Sequence, residues 1–180
     1  MSVPTQKQNW DLFFHTLAPV AGERILDVGA GKGSIANWVL QQSKGVEVYA
    51  VDPTEKRVAA MRRNYPALKS SVAGAENLPF PDSFFDRAYT TMALHHYSDL
   101  GKALKELRRV LKTGGCFVVV EVDPDSIQGR LFKLFGRLTG EHMNLMSEAQ
   151  LVSRLEAEGE FKVGSSAKPK SRYIIQAVRV

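Results

Sequence analysis

An α/β domain, with a parallel sheet covered by helices on both faces, is the fold class that this 180-residue sequence predicts. Three observations predict it. Short apolar runs of strand length alternate with segments whose apolar residues recur at helical spacing. The first run, Arg24 to Val28, breaks into a turn with Gly29, Gly31 and Gly33 on alternate positions, before helical spacing resumes at Ile35, Ala36, Val39 and Leu40. The second run, Val46 to Val51, ends in Asp52.

Residues 1–9 are polar with Pro4 among them, which predicts a loose start. Trp10, Phe13, Phe14 and Leu17 share a helical face and stop before Pro19. They predict an N-terminal helix within residues 1–20 that either packs on the domain or closes over a ligand with Trp10 or Phe14. Thr54 to Asn64 reads as a helix with Thr54 as N-cap and Val58 and Met61 inward. Pro66 ends it, and Leu68 to Val72 is a short third strand. Ala73 to Asp82 is dense in turn residues. Phe84 to Thr91 forms the fourth strand and leads into Met92-Ala93-Leu94-His95-His96-Tyr97. Leu100 to Leu111 is an amphipathic helix that Gly114-Gly115 brings to an end. Cys116 to Val122 reads as a fifth strand buried on both faces.

Composition narrows the class. At 44% hydrophobic residues the chain can build one domain over residues 1–180 with a full-sized core. No run reaches the roughly 18 apolar residues of a membrane span, and the N-terminus has no signal-peptide pattern. A lone cysteine, Cys116, excludes an intramolecular disulfide and a multi-cysteine metal site. These features predict a soluble, cytoplasmic protein. The +5 charge comes wholly from residues 101–180, which carry 14 basic and 9 acidic residues. Without a continuous Lys/Arg run it reads as a solvated basic face, not a nucleic-acid site.

The glycine turn carries the chemistry. Glycine lets the backbone turn sharply and lie against a ligand with no Cβ in the way, and N–H groups at the next helix start suit a polar or anionic group. The spacing is G-x-G-x-G, one residue short of the dinucleotide fingerprint, and Lys32 precedes glycine where a P-loop needs Ser or Thr. Asp52 suits a ribose diol, since a carboxylate accepts from both hydroxyls; the plainer role is to cap the helix near Thr54.

From Arg24 to about Pro124 the chain resembles the class I S-adenosylmethionine-dependent methyltransferases, nearest the small-molecule branch of ubiquinone and menaquinone biosynthesis C-methyltransferases. Four blocks carry the likeness: Ile25 to Gly33; Val48 to Asp52; Ala75-Glu76-Asn77-Leu78-Pro79-Phe80 with Phe84-Phe85-Asp86; and Leu107 to Gly115 with the strand after it. The resemblance implies a Rossmann-like seven-stranded sheet, mostly parallel, with an antiparallel C-terminal strand. It implies S-adenosylmethionine as cofactor and a small hydrophobic or aromatic acceptor. Gly29, Ala30, Gly31 and Gly33 would approach the methionine part, and Asp27 would hold the loop and the ammonium group. Asp52 would bind the ribose hydroxyls and Pro53 would lie against the adenine, with Ala75 and Glu76 at its rim. Gly74 stands where many relatives carry an acidic residue, so that adenine contact is lost, or Glu76 or the backbone replaces it.

In that family fold, Ser147 to Glu158 would be a helix, with two strands after Phe161. Residues 126–146 would be an acceptor-side insertion. Within it Leu131, Leu134, Phe135 and Leu138 form one stripe and Arg130, Lys133 and Arg137 the other side. The stripe either docks on the sheet edge or covers the acceptor, its basic side then resting on an anionic membrane surface.

Methyl transfer is an in-line displacement, so the protein must align the acceptor and remove a proton where it carries one. His95 and His96 are the candidate catalytic residues, with Glu121, Asp123 and His142 as lesser ones. Adjacent histidines point apart, so no metal is expected there. A nicotinamide-dependent oxidoreductase, a nucleic-acid or protein methyltransferase, and a non-catalytic S-adenosylhomocysteine-binding protein are the competing readings. Arsenic methylation would need thiols that one cysteine cannot supply. Oligomeric state stays open.

Overall fold

The computed structural model describes residues 6–139, 144–157 and 161–180. Among these lie the strands β1 (Arg24–Val28), β2 (Glu47–Asp52), β3 (Lys69–Val72), β4 (Phe85–Thr91), β5 (Leu111–Val122), β6 (Phe161–Ala167) and β7 (Arg172–Arg179). The helices are α1 (Gln6–Leu17), α2 (Ser34–Gln42), α3 (Glu55–Asn64), α4 (Leu100–Val110), α5 (Ile127–Thr139) and α6 (Glu148–Ala157). All seven strands join one sheet in the order β3-β2-β1-β4-β5-β7-β6. Pairing is parallel from β3 through β5, and β7 runs antiparallel between β5 and β6. This is the sheet expected from the sequence. The chain winds outward from β1 and returns to β4 on its other side, so the loops after β1 and β4 part and leave a crevice.

Alternation along β5 shows how the two layers form. Cys116, Val118 and Val120 face one side and join Phe13 and Leu17 of α1, Val39 of α2 and Met61 of α3. Phe117 and Val119 face the other and join Leu104 and Leu107 of α4 and Leu151 and Leu155 of α6. A strand buried on both faces reads as an unbroken apolar run for this reason.

The structure corrects two local expectations, refines a third and decides between the two readings of α1. Helix α4 stops at Val110, and Leu111 already pairs with Phe85 in the sheet. Gly114-Gly115 therefore shapes an irregularity within β5 and does not end the helix. Gly114 sits at φ 77°, and a Cβ on Gly115 would stand 2.7 Å from the Lys112 carbonyl. Thr54 is the N-cap of α3, but its side chain makes no capping bond. Helix α1 is packed through Phe13 and Leu17, while Trp10 and Phe14 turn onto Trp38. Last, α5 neither docks its apolar stripe on the sheet nor folds it over the crevice, because that stripe is solvent-exposed.

Arg109 of α4 pins the turn-rich loop after β3. Its guanidinium donates to the carbonyls of Leu78 and Phe80, while Glu106 accepts the Leu78 N–H. Phe80 then meets Tyr49 and Phe85 edge to face, which packs the loop against the sheet.

Candidate active site

The crevice between the loops after β1, β2, β3 and β4 encloses about 570 Å³. That is the size range of small-molecule sites. The glycine loop forms one wall. Gly29 lies at φ 80° and its missing Cβ would stand 2.5 Å from Ala93 Cβ, so only glycine lets the loops after β1 and β4 close on each other. Gly29 and Ala30 both donate to the Val51 carbonyl. The Gly31 N–H donates to Asp52 Oδ2 at 2.9 Å, and Asp52 Oδ1 accepts the Thr54 N–H at 2.9 Å.

Asp52 thus takes the plainer role weighed for it and adds the one expected of Asp27. It steadies the start of α3 and holds the glycine loop, with Arg57 3.6 Å away. An ionised carboxylate offers about four lone-pair sites, so acceptor capacity remains for a ligand hydroxyl.

Asp27 lies beneath the floor. It is 1% exposed, and among the described residues neither of its carboxylate oxygens has a hydrogen-bond partner. Burial pushes its carboxyl up to about 8; Tyr89, its neighbour across the sheet, holds the rise back and the Asp52 charge adds to it. The Tyr89 hydroxyl also lacks a partner, so the two groups face each other without closing a bond. Asp27 does not hold the loop: Asp52 and the Val51 carbonyl do.

Of the other residues expected at the site, Gly29, Ala30, Gly31, Asp52, Pro53, Gly74, Ala75 and Glu76 line the crevice. Gly33 does not. It is buried behind the loop at φ 82°, where a Cβ would stand 2.5 Å from Met61 Cγ, so its glycine serves packing against α3. Glu76 Oε1 accepts from the Ser98 N–H and hydroxyl. Its Oε2 lies 3.0 Å from the place a Gly74 Cβ would take. Burial tends to raise the Glu76 carboxyl, but its hydrogen bonds win and hold it below the ordinary glutamate value.

The two histidines part company. Leu94–His96 is a 3₁₀ turn that buries His95 and leaves His96 exposed on the crevice wall. His95 Nδ1 lies 2.9 Å from Glu121 Oε2, and both side chains are at most 2% exposed. The rings do not diverge as adjacent residues on a helix or strand would: their centroids are 4.2 Å apart. Glu121 is engaged by His95 and Asp123 by Lys168, and neither lines the crevice. His142 lies outside the described residues. Among those described, no group of three or more His, Cys, Asp or Glu is placed to hold a metal ion.

Sequence reasoning missed Met92 and Tyr97 on the β4 side. Met92 holds φ 53°, a left-handed conformation that its residue type does not announce. The Tyr97 hydroxyl donates to Thr90 Oγ1 at 2.9 Å, tying this wall to the sheet. Its ring sits 4.0 Å from a Gly29 Cβ position, so glycine at 29 also makes room for it. Arg57 of α3 lines the crevice too.

Sheet order, glycine loop and acidic strand tip define a class I methyltransferase fold, with its site at the crevice beside β1 and β4. Residues 26–119 match the methyltransferase domain family, and the chain belongs to it. It is 38% identical over 108 residues to the demethylmenaquinone methyltransferase of Thermus thermophilus, covering 58% of this chain and 49% of that protein. To the ubiquinone/menaquinone biosynthesis C-methyltransferase of Chromobacterium violaceum it is 35% identical over 118 residues, 62% of this chain and 48% of that protein. The chain spans about half the length of these curated relatives. Among solved structures it superposes on an S-adenosylmethionine-dependent methyltransferase from Aquifex aeolicus. That match has a TM-score of 0.79 and 20% identity, and covers 96% of this chain and 90% of the other. No helix among the described residues is long and apolar enough to cross a membrane.

Proposed function

We propose that the chain is a cytoplasmic S-adenosylmethionine-dependent methyltransferase acting on a small hydrophobic or aromatic acceptor of quinone type. The observation that carries this reading is Asp27, a buried carboxylate with both oxygens unpaired under a glycine loop. Such a group is costly unless a ligand supplies donors and positive charge, and an amino-acid ammonium supplies both. The fit continues along the crevice. Asp52 keeps acceptor sites for a ribose diol, the loop at Gly29 and Gly31 leaves room for the methionine part, and Glu76 presents a carboxylate beside Gly74. The names of the relatives support the acceptor class, and family membership supports methyl transfer.

When bound, S-adenosylmethionine would supply an activated methyl group. The residues of the chain then have three tasks. Asp52 and Glu76 orient the donor, with Asp27 placing a carboxyl beneath the floor under its ammonium group; the packed loops at Gly29, Ala93 and Tyr97 exclude water from that floor; His96 on the wall takes a proton from the acceptor. Calorimetry should show S-adenosylmethionine or S-adenosylhomocysteine binding at micromolar order, roughly −8 kcal/mol, and no binding of NADH. Methyl transfer to reduced benzo- and naphthoquinones should follow. Cofactor binding with no transfer to any aromatic acceptor would favour the non-catalytic reading, and NADH binding instead would overturn the proposal.

Gly74 tests the adenine side. A sequence reading suggests that restoring the acidic residue, Gly74→Asp, should tighten binding. The structure reverses that expectation, because the Cβ of the new side chain would stand 3.0 Å from Glu76 Oε2 and bring a second carboxylate next to the first. Like charges at that range disfavour each other, so affinity for S-adenosylhomocysteine should fall roughly tenfold. Tighter binding would show that Glu76 does not serve the adenine.

A further inference from the structure

Helix α5 turns its glycines inward. Gly129 and Gly136 are buried, and a Cβ at Gly129 would stand 2.1 Å from the Asp123 carbonyl oxygen, so the first turn of the helix lies directly on the turn that follows β5. At about 3.6 residues per turn, the side opposite those glycines carries Ile127, Leu131, Leu134 and Leu138, with Phe135 at its edge. These are 80%, 60%, 53%, 79% and 59% exposed. Of the large apolar side chains exposed on the described surface, most belong to this one helix. The stripe therefore points away from the protein because the close glycine seat turns it outward.

Charge identifies what covers it. The helix holds Arg130, Lys133 and Arg137 and no acidic residue. Arg130 and Lys133 are exposed along one flank of the stripe. Lys170 stands in the turn after β6, which joins α5 through the Ser171–Gln128 hydrogen bond. A second copy is the poorer occupant, since two stripes face to face would bring Arg130 and Lys133 of both copies together. An anionic bilayer accepts the apolar side chains among its acyl chains and the cations at its headgroups.

We infer that α5 is an interfacial helix that docks the protein on an anionic membrane surface, stripe down. The consequence reaches the crevice. Phe132, on the inner side of α5, meets the His95 ring at 6.0 Å, and His95 meets His96 on the crevice wall. Docking would set that wall beside the lipid, where a hydrophobic acceptor is concentrated.

Flotation with vesicles tests this on the whole chain. The protein should float with phosphatidylcholine–phosphatidylglycerol vesicles and bind phosphatidylcholine vesicles at least tenfold less. The doubly substituted variant Leu134→Gln, Leu138→Gln should lose at least tenfold of the binding to mixed vesicles, and so should Arg130→Gln with Lys133→Gln. Both pairs are exposed, and unchanged melting and S-adenosylhomocysteine affinity would show that fold and crevice are intact. Failure of the wild type to bind either vesicle would overturn the inference, as would equal binding to both or undiminished binding by the variants. So would a dimer in sedimentation velocity that Leu134→Gln, Leu138→Gln dissociates, which would assign the stripe to a second copy. None of these failures touches the cofactor proposal, whose test is calorimetric.

Discussion

Replacing Asp27 by Asn is expected to stabilise the ligand-free protein at neutral and alkaline pH while removing its affinity for cofactor. The buried carboxyl has its pKa raised from 3.8 in the unfolded chain to about 8 in the fold. A raised folded value means that the contribution to stability is fully present below about pH 4 and is lost as pH rises to about 8. Asn has no such titration. The two proteins should therefore melt alike near pH 4 and separate above it, by about 5 kcal/mol at pH 8. At this chain length each kcal/mol is worth about 2–4 °C. Binding should move the other way. In the proposed complex an ionised Asp27 pairs with the ligand ammonium group, and its loss should cost about 2 kcal/mol or more, roughly thirtyfold. In the wild type, binding below about pH 8 should release a proton, so affinity climbs with pH until the α-amino group of the ligand itself titrates near about 8. The Asn variant should show no such climb. Calorimetry in buffers of different ionisation enthalpy reads the proton directly. Equal melting of the two proteins at pH 8 would mean that Asp27 is not strained in the empty fold.

The site was legible in the sequence wherever a residue type is tied to a backbone need. Gly29, Gly31 and Gly33 all take positive φ, and that much follows from their type and setting. Which of them faces a ligand does not, because Gly33 answers to Met61 from a helix distant in sequence. Asp52 at the strand tip was plain, yet its bond to the Gly31 N–H depends on how the β1 loop curls over β2. Periodicity found the stripe on α5 and assigned it inward, the usual side for apolar residues. It could not weigh Gly129, which lets the opposite side lie against the turn after β5 more closely than any side chain allows. Gly114-Gly115 misled for a related reason. Glycine marks an unusual backbone, and an irregular strand uses it as readily as a helix end does. Met92 gave no signal at all, since nothing in a methionine announces a left-handed conformation.

The pair His95–Glu121 is where the second large effect is expected, and it separates structure from catalysis. Glu121 Oε2 takes His95 Nδ1 at 2.9 Å, and Oε1 takes the Val122 N–H at 2.9 Å, all within a buried environment. Glu121→Ala leaves the imidazole and that N–H unpaired and opens a cavity, so it should destabilise the fold by about 3–5 kcal/mol. Glu121→Gln keeps the shape and one acceptor and should cost about 1–2 kcal/mol. His96 stands on the exposed side of the same turn, so His96→Gln should leave stability within about 0.5 kcal/mol and reduce turnover. His95→Gln should do the opposite, lowering the melting temperature while the folded fraction keeps its cofactor affinity. The physical reason is access: a ring that is 2% exposed and bonded to a buried carboxylate fixes the turn that carries His96, and an acceptor meets His96 first. Chemical denaturation of each variant gives the first quantity, and turnover normalised to folded protein gives the second. A stable His95→Gln protein with lost turnover would transfer the catalytic role from His96 to His95, with Glu121 orienting its ring.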